Sequence, residues 1–306
     1  MSKSGEFTAY EVVIENYSHI VSFNQKFLSN FIFRGQSDSE WGLAPSLERI
    51  IHLHHPKYID KSIPNIYEKR TLDTFKYKYP LYAANVYPKE DDDIEWLTLM
   101  QHYGAPTRLL DFSNSIFVAL YMALDGSFSE NSVIWAVNKT AMYSKHVERY
   151  CKENNTSSVS NQILDKYVHD KANLIIGNDS SDREILTIHP YLCNERVAIQ
   201  QGLFLMASDI TIPFIDVFNS FFQIEDHNIK RIPIKCLLDY SYSKNKDMNC
   251  RDVVLFRIVI PKKFKWELTQ LLNQMNITAE TLYPGLSGLA KSLSALQLRD
   301  PQIYSE

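Results

Sequence analysis

The sequence predicts an α+β fold, and three observations predict it. Short runs of β-branched and aromatic residues at 31–33, 133–137, 185–188, 203–206 and 253–260 read as strands. Longer runs with apolar residues at helical spacing, over 11–30, 64–82, 94–103, 114–124, 261–276 and 285–296, read as helices. The two kinds follow one another without a regular strand–helix–strand rhythm, which argues against a doubly wound parallel sheet.

Taken in order, residues 11–30 hold the spaced apolar residues Val13, Ile14, Tyr17, Ile20, Val21, Phe23, Phe27 and Leu28, so the segment 1–30 is expected to be an N-terminal helix. Phe31-Ile32-Phe33 is a short strand that ends at Arg34-Gly35-Gln36, and polar residues 37–40 make a turn. The helix over 64–82 closes before a loop at Pro88. Acidic residues 90–93 suit the start of the next helix, where carboxylates meet unpaired N–H groups and the positive dipole end. Gly104 is a natural stop for it. Residues 107–111 are a short extended piece. The helix at 114–124 is apolar nearly all round and is expected to be buried on most sides, with Asp111 or Ser113 as its cap. The stretch 151–181 is polar, rich in Asn and Ser, and reads as an insertion holding a helix and loops. Residues 197–200 and 231–237 are expected to be further strands. The main domain is therefore expected over 31–296, with a tail at 297–306. No repeat or domain linker is visible.

Composition excludes several classes. The chain has 306 residues, enough for a sizeable core, and a net charge of -4, which excludes a wholly basic nucleic-acid binder. One segment runs the other way. Residues 228–266 hold ten lysines and arginines against three aspartates, with Tyr240, Tyr242 and Phe256 among them. A charged run is first a solvated face, but this one is also the feature that suits a nucleic acid. The four cysteines, Cys151, Cys193, Cys236 and Cys250, are far apart and form no CxxC or zinc-ligand spacing, so free thiols and no metal are expected. No apolar run is long enough to span a bilayer and no leader pattern opens the chain, so a cytoplasmic protein without a membrane partner is expected.

Three passages carry the chemistry. The first is Phe31-Ile-Phe-Arg-Gly-Gln36, followed by Trp41 and Leu43-Ala-Pro-Ser-Leu47. The second is Leu99-Met-Gln-His-Tyr-Gly-Ala-Pro-Thr-Arg-Leu-Leu-Asp111, running into Ala119-Leu-Tyr-Met-Ala123. The third is Arg196-Val-Ala-Ile-Gln-Gln-Gly-Leu-Phe204. This ordered set resembles the FRG-domain family, and residues 277–290 look familial too, so the resemblance spans roughly residues 31–293. The order is also similar to that of ADP-ribosyltransferases: an Arg at the end of an early strand, a Ser/Thr strand before a buried helix, then a Glu or Gln on a later strand.

That resemblance implies an ADP-ribosyltransferase-like split mixed/antiparallel sheet surrounded by helices, and NAD as co-substrate. Arg34 and Thr107, with Gln200 or Gln201, would be the catalytic set. Arg34, Gly35, Gln36, His102, Thr107, Arg108 and Asp111 would be the cofactor-binding set. The residue types suit the chemistry. Cleaving nicotinamide from NAD builds positive charge on the ribose, as in glycoside hydrolysis. A guanidinium forks onto a pyrophosphate in a way a lysine does not. Glycine admits close approach, and a hydroxyl can hold ribose or carboxamide. Bland roles stand beside each assignment. Arg34 can pair with Asp38 or Asp111, and Arg108 with Asp111. His102 can meet a helix C-terminus as a cation. Gln36 can be a turn partner, and Trp41 a packing anchor. The third passage has Gln200-Gln201 where a transferase has Glu-x-Glu, so Glu195, Asp111 or Glu280 would have to supply the charge.

The expectation that results is an NAD-dependent ADP-ribosyltransferase, a toxin or phage-defence effector. Its target would be a macromolecule, nucleic acid (messenger RNA in particular) ahead of protein, and an antitoxin-type protein partner would restrain it. An NAD or nucleotide hydrolase and a non-catalytic nucleotide- or nucleic-acid-binding module are the alternatives.

Overall fold

A computed structural model describes residues 7–54, 62–83, 87–126, 128–178, 182–192, 195–224, 229–240 and 253–294. Its strands are β1 (Thr8–Val13), β2 (Phe31–Gln36), β3 (Leu109–Ser113), β4 (Ser132–Asn138), β5 (Ile185–Ile188), β6 (Gly202–Ala207), β7 (Ile229–Arg231) and β8 (Val253–Ile260). They form one sheet in the order β5-β6-β3-β2-β4-β8-β1-β7. β1 runs parallel to β7 and β8, and the remaining ladders are antiparallel. The chain is thus α+β with a mixed sheet.

The N-terminal helix expected over 11–30 is not there. Tyr10, Val12 and Ile14 alternate into one core while Ala9 faces another, which is strand periodicity. A window of helical spacing hid it because the strand is only six residues long. Two asparagines then cut the rest. Asn16 accepts from the Ser18 amide and starts a 3-10 turn, Tyr17–Ser22, and Asn24 accepts from Lys26 and starts α1 (Gln25–Asn30). The N-terminal segment is therefore part of the sheet rather than a separate element.

On one face of the sheet, α1 and α5 (Ile116–Leu124) bury an aromatic core. Phe27 sits 4.8 Å from Phe31 and 5.5 Å from Phe256, ring centre to ring centre. Apolar residues on nearly every side of α5 let it lie against the sheet and beneath α11 (Lys265–Gln274). Ser115, not Asp111 or Ser113, is its N-cap, accepting from the Val118 amide at 3.4 Å. The opposite face is covered by α6 (Lys139–Glu153) and α9 (Phe214–Phe222), whose Phe214, Val217, Phe218 and Phe222 recur at helical spacing. The β3-β6-β5 end is closed by α3 (Ser62–Lys78), α4 (Asp93–His102) and α7 (Asn161–Ile175). Asp92 caps α4 through the Glu95 amide, and Gly104, at φ +78°, ends its last turn as expected.

Smaller elements correct the sequence reading. Residues 197–200 are not a strand: they fall in α8 (Glu195–Ile199) and the turn after it. Residues 231–237 are the end of β7 followed by α10 (Lys235–Leu238). α2 (Ser46–His54), α6 and α9 were not expected. The C-terminal helices are α11, α12 (Ala279–Leu282) and α13 (Leu286–Ser294).

The basic segment is not one solvated face. Arg257 points inward, bound to Glu11 and the Ser39 carbonyl, with its guanidinium 5.9 Å from the Trp135 ring. Lys265 is fully buried and donates to the Ser37 carbonyl at 3.2 Å. Lys244, Lys246, Arg251 and Tyr242 lie outside the described residues, as do Cys193, Cys250 and the tail 297–306. Cys151 and Cys236 are free thiols. Among the described residues, no His, Cys, Asp or Glu group could hold a metal ion, and no helix is long and apolar enough to cross a membrane.

Candidate functional site

β2 and β3 are neighbours, yet they share a single paired position, Phe33 with Ser113. Past that point β2 continues its ladder with β4 alone, and β3 continues with β6. Arg34 is the first residue of β2 beyond the shared pair, so its side chain reaches into the opening between the two strands. Its Nη1 donates to the Asp111 carbonyl at 3.0 Å and lies 3.5 Å from Asp111 Oδ2. Its Nε is buried and has no hydrogen-bond acceptor. A donor in that position is costly to leave unmet and marks a place where an acceptor from outside would fit.

The opening is a cavity of about 300 Å³. Arg34, Gly35 and Gln36 come to it from β2, and Asp111 and Ser113 from β3. Trp41 and Arg49 line it from the segment after β2, and Arg196 and Gln200 from α8 and its turn. Three arginines therefore face two aspartates, and Asp125 is already bound by Lys291. Burial pulls the Arg34 guanidinium below its ordinary pKa and the nearby Asp111 carboxylate pushes it back up. The balance of charge favours an anion.

Asp111 is held in place from behind. Gln101 Nε2 donates to Asp111 Oδ2 at 2.8 Å, while Gln101 Oε1 accepts from the Thr107 hydroxyl. Thr107 is wholly buried, and its backbone N–H donates to Ser46 Oγ at 3.0 Å. Thr107 is thus not a lining residue; it orients Gln101, which orients Asp111. The Asp111 side chain remains 56% exposed at the mouth, free to meet a ligand.

Several expected site residues have other partners. Arg108 does not pair with Asp111. It faces the other side of β3, where its Nε donates to Glu68 Oε1 at 2.6 Å and its Nη2 binds the second carboxylate oxygen. Both side chains are almost completely buried, so this is a structural pair and not a cofactor contact. His102 is likewise absent from the cavity lining. Burial, and then the Arg196 charge, lower its pKa, which works against a cation at the helix end. Gln36 lines the cavity, but both ends of its amide are engaged, with the Gly42 carbonyl at 3.1 Å and the Trp135 indole at 2.5 Å. Gln200 lines the cavity and donates its Nε2 to the Leu282 carbonyl at 2.9 Å. Gln201 is exposed, left-handed at φ +48°, and outside the lining.

The sequence reading missed three contributors. Arg49 donates to the Ala44 carbonyl at 3.2 Å. Arg196 donates to the His102 carbonyl at 3.3 Å, with its guanidinium 4.7 Å from the Tyr283 ring centre. Trp41, read as a packing anchor, is 54% exposed at the cavity wall. Arg196 was in plain sight at the head of the third passage. Arg49 follows Glu48 on a helix that was not expected.

These features define an α+β protein with an arginine-lined cavity where two strands part. Residues 29–132 match the model of the FRG domain. That stretch includes β2, β3 and α5, and with them Arg34, Trp41, Arg49 and Asp111; Arg196 and Gln200 come from outside it. No curated protein and no solved structure is detectably similar to the chain.

Proposed function

We propose that this cavity binds NAD and that the chain is an ADP-ribosyltransferase with an ADP-ribosyltransferase-like site built on its mixed sheet. The observation that carries the reading is Arg34 on β2, whose buried Nε is unmet, facing a cavity beside a half-exposed carboxylate. A pyrophosphate supplies acceptors in the geometry a guanidinium prefers. Arg49 and Arg196 add charge on the same walls. The cavity lies at the lower end of ligand-pocket sizes, so one nucleotide half fits inside and the other extends along the mouth, where Trp41 offers an exposed ring to stack on.

NAD supplies a glycosidic bond whose cleavage expels nicotinamide and leaves positive charge on the ribose. The chain's part is to hold the dinucleotide through Arg34 and to set a carboxylate against that charge. Asp111 takes this role in place of the missing Glu, since Glu195 and Glu280 do not line the cavity. The same carboxylate can accept the proton of an acceptor hydroxyl or amine as its bond to the ribose forms. Gln101 and Thr107 are positioning residues for it. Nucleic acid, messenger RNA in particular, is the acceptor we favour, on the exposed Lys230, Arg231, Lys235, Lys262 and Lys263 of the 228–266 segment, and an antitoxin-type partner belongs to the same reading of a cytoplasmic toxin or defence effector. A second reading, NAD or nucleotide hydrolysis, is favoured by the exposure of Asp111, which leaves water access to the ribose.

Incubation with NAD labelled on the adenylate, together with total RNA, DNA and protein pools, separates the readings. Transfer of label to a macromolecule is expected. Nicotinamide release without transfer would select hydrolysis, and neither would leave a binding module.

A further inference from the structure

A second and larger recess, about 740 Å³, lies between α3 and the C-terminal end of α4. Its walls are aromatic and apolar: Tyr67, Phe75, Tyr79, Tyr82, Met100 and Tyr103. Tyr82 is 84% exposed and Tyr103 62%, so large apolar faces stand open to water here. An apolar patch of this kind, rimmed by charge, marks a site of interaction rather than ordinary surface. The charge at the rim has one sign. Arg70 and Lys78 line the recess, and among the described residues no carboxylate does. Eight residues apart on one helix, they stand about 12 Å from each other along its axis.

We infer that this groove docks an amphipathic helical segment of a partner protein, with apolar residues turned inward and acidic residues about two turns apart meeting Arg70 and Lys78. The apolar floor suits side chains at i, i+3, i+4 and i+7 of such a helix. A nucleic-acid strand fits less well. The lining rings are tilted against one another, Phe75 at 34° to Tyr79 and Tyr79 at 53° to Tyr103, rather than offering parallel stacking platforms. Two cations 12 Å apart also make no continuous track for a phosphate backbone. The groove stands apart from the NAD cavity, and its occupancy is read without NAD, so this inference and the transferase reading fail separately.

The test uses three fluorescent probes on the full chain, read by anisotropy. One is an 18-residue helix with leucines at helical spacing and glutamates seven residues apart on its flank. The second has lysines in place of those glutamates, and the third is a 12-nucleotide oligouridylate. The glutamate helix is expected to bind about tenfold or more tightly than the lysine helix, since like charges across a contact are repelled. The double variant Arg70→Glu/Lys78→Glu should reverse that order, and Tyr103→Ser should weaken the glutamate helix severalfold. All three positions are exposed, and unchanged circular dichroism would confirm an intact fold. Equal binding of the two helices, binding of neither, or binding of the oligonucleotide alone would overturn the inference.

Discussion

Arg108→Ala is expected to destabilise the chain by about 3–5 kcal/mol, because it strands a charge in the interior. Glu68, on α3, is 1% exposed, and Arg108 answers both of its oxygens. The guanidinium also reaches the Ala207 and Ser208 carbonyls at 3.5 and 3.4 Å, across the end of β6. One side chain thus ties α3, β3 and β6 together. Removing either partner leaves the other desolvated and unpaired. Replacing both with apolar residues of similar volume, Arg108→Met with Glu68→Leu, should return much of the loss, since the pair itself is near break-even against good packing. Urea midpoints of the two single variants and the double variant test this. A double variant no more stable than Arg108→Ala would mean that the carbonyl bonds, not the stranded carboxylate, set the cost.

Gly35→Ala is expected to be nearly as damaging, for a different reason. A Cβ at Gly35 would lie 1.8 Å from the Ala119 carbonyl oxygen and 2.6 Å from the Ala123 amide nitrogen, both backbone atoms of α5. No side chain can swing aside, so β2 or α5 must move as a unit. Overpacking of this kind costs about 1–3 kcal/mol or more, and a backbone clash belongs at the upper end. The shift also carries Arg34, the adjacent residue, away from Asp111. Gly42 is the control, because nothing lies within 4 Å of a Cβ built there. Gly42→Ala should leave the thermal midpoint within a degree or two, while Gly35→Ala lowers it by several degrees. The role of Gly35 is therefore close helix packing, more than the close ligand approach that its place beside Arg34 implies.

The parts of the site that were legible in the sequence are those carried by local pattern. An apolar run ending in Arg-Gly pointed to β2, although the strand runs on through Gln36 and Arg34 lies inside it rather than at its end, and the run at 116–124, apolar nearly all round, pointed to the buried α5. Of the two carboxylates the sequence offers Arg34, Asp38 and Asp111, the one it pairs with is Asp111. What could not be read depends on contacts distant in sequence. Glu68 and Arg108 are 40 positions apart, with nothing local to link them. α8 is five residues long, too short to show a helical period, and the left-handed Gln201 that closes it turns one amide out of the site. Gln101 had no signal of its own either, since its importance lies in joining the Thr107 hydroxyl to Asp111. A strand of six residues, β1, was lost inside a longer stripe that satisfied helical spacing.

Calorimetric titration of NAD into the wild-type chain and into Arg34→Lys is the most direct test of the cavity's role. The lysine keeps the positive charge and the bulk of the side chain but cannot fork onto two acceptors. Saturable binding to the wild type is expected, with affinity lower by about tenfold or more in the variant, a loss near 1.4 kcal/mol, and with an unchanged thermal midpoint. Equal affinity in the two proteins, or no heat of binding in the wild type, would contradict the assignment of this cavity to a dinucleotide.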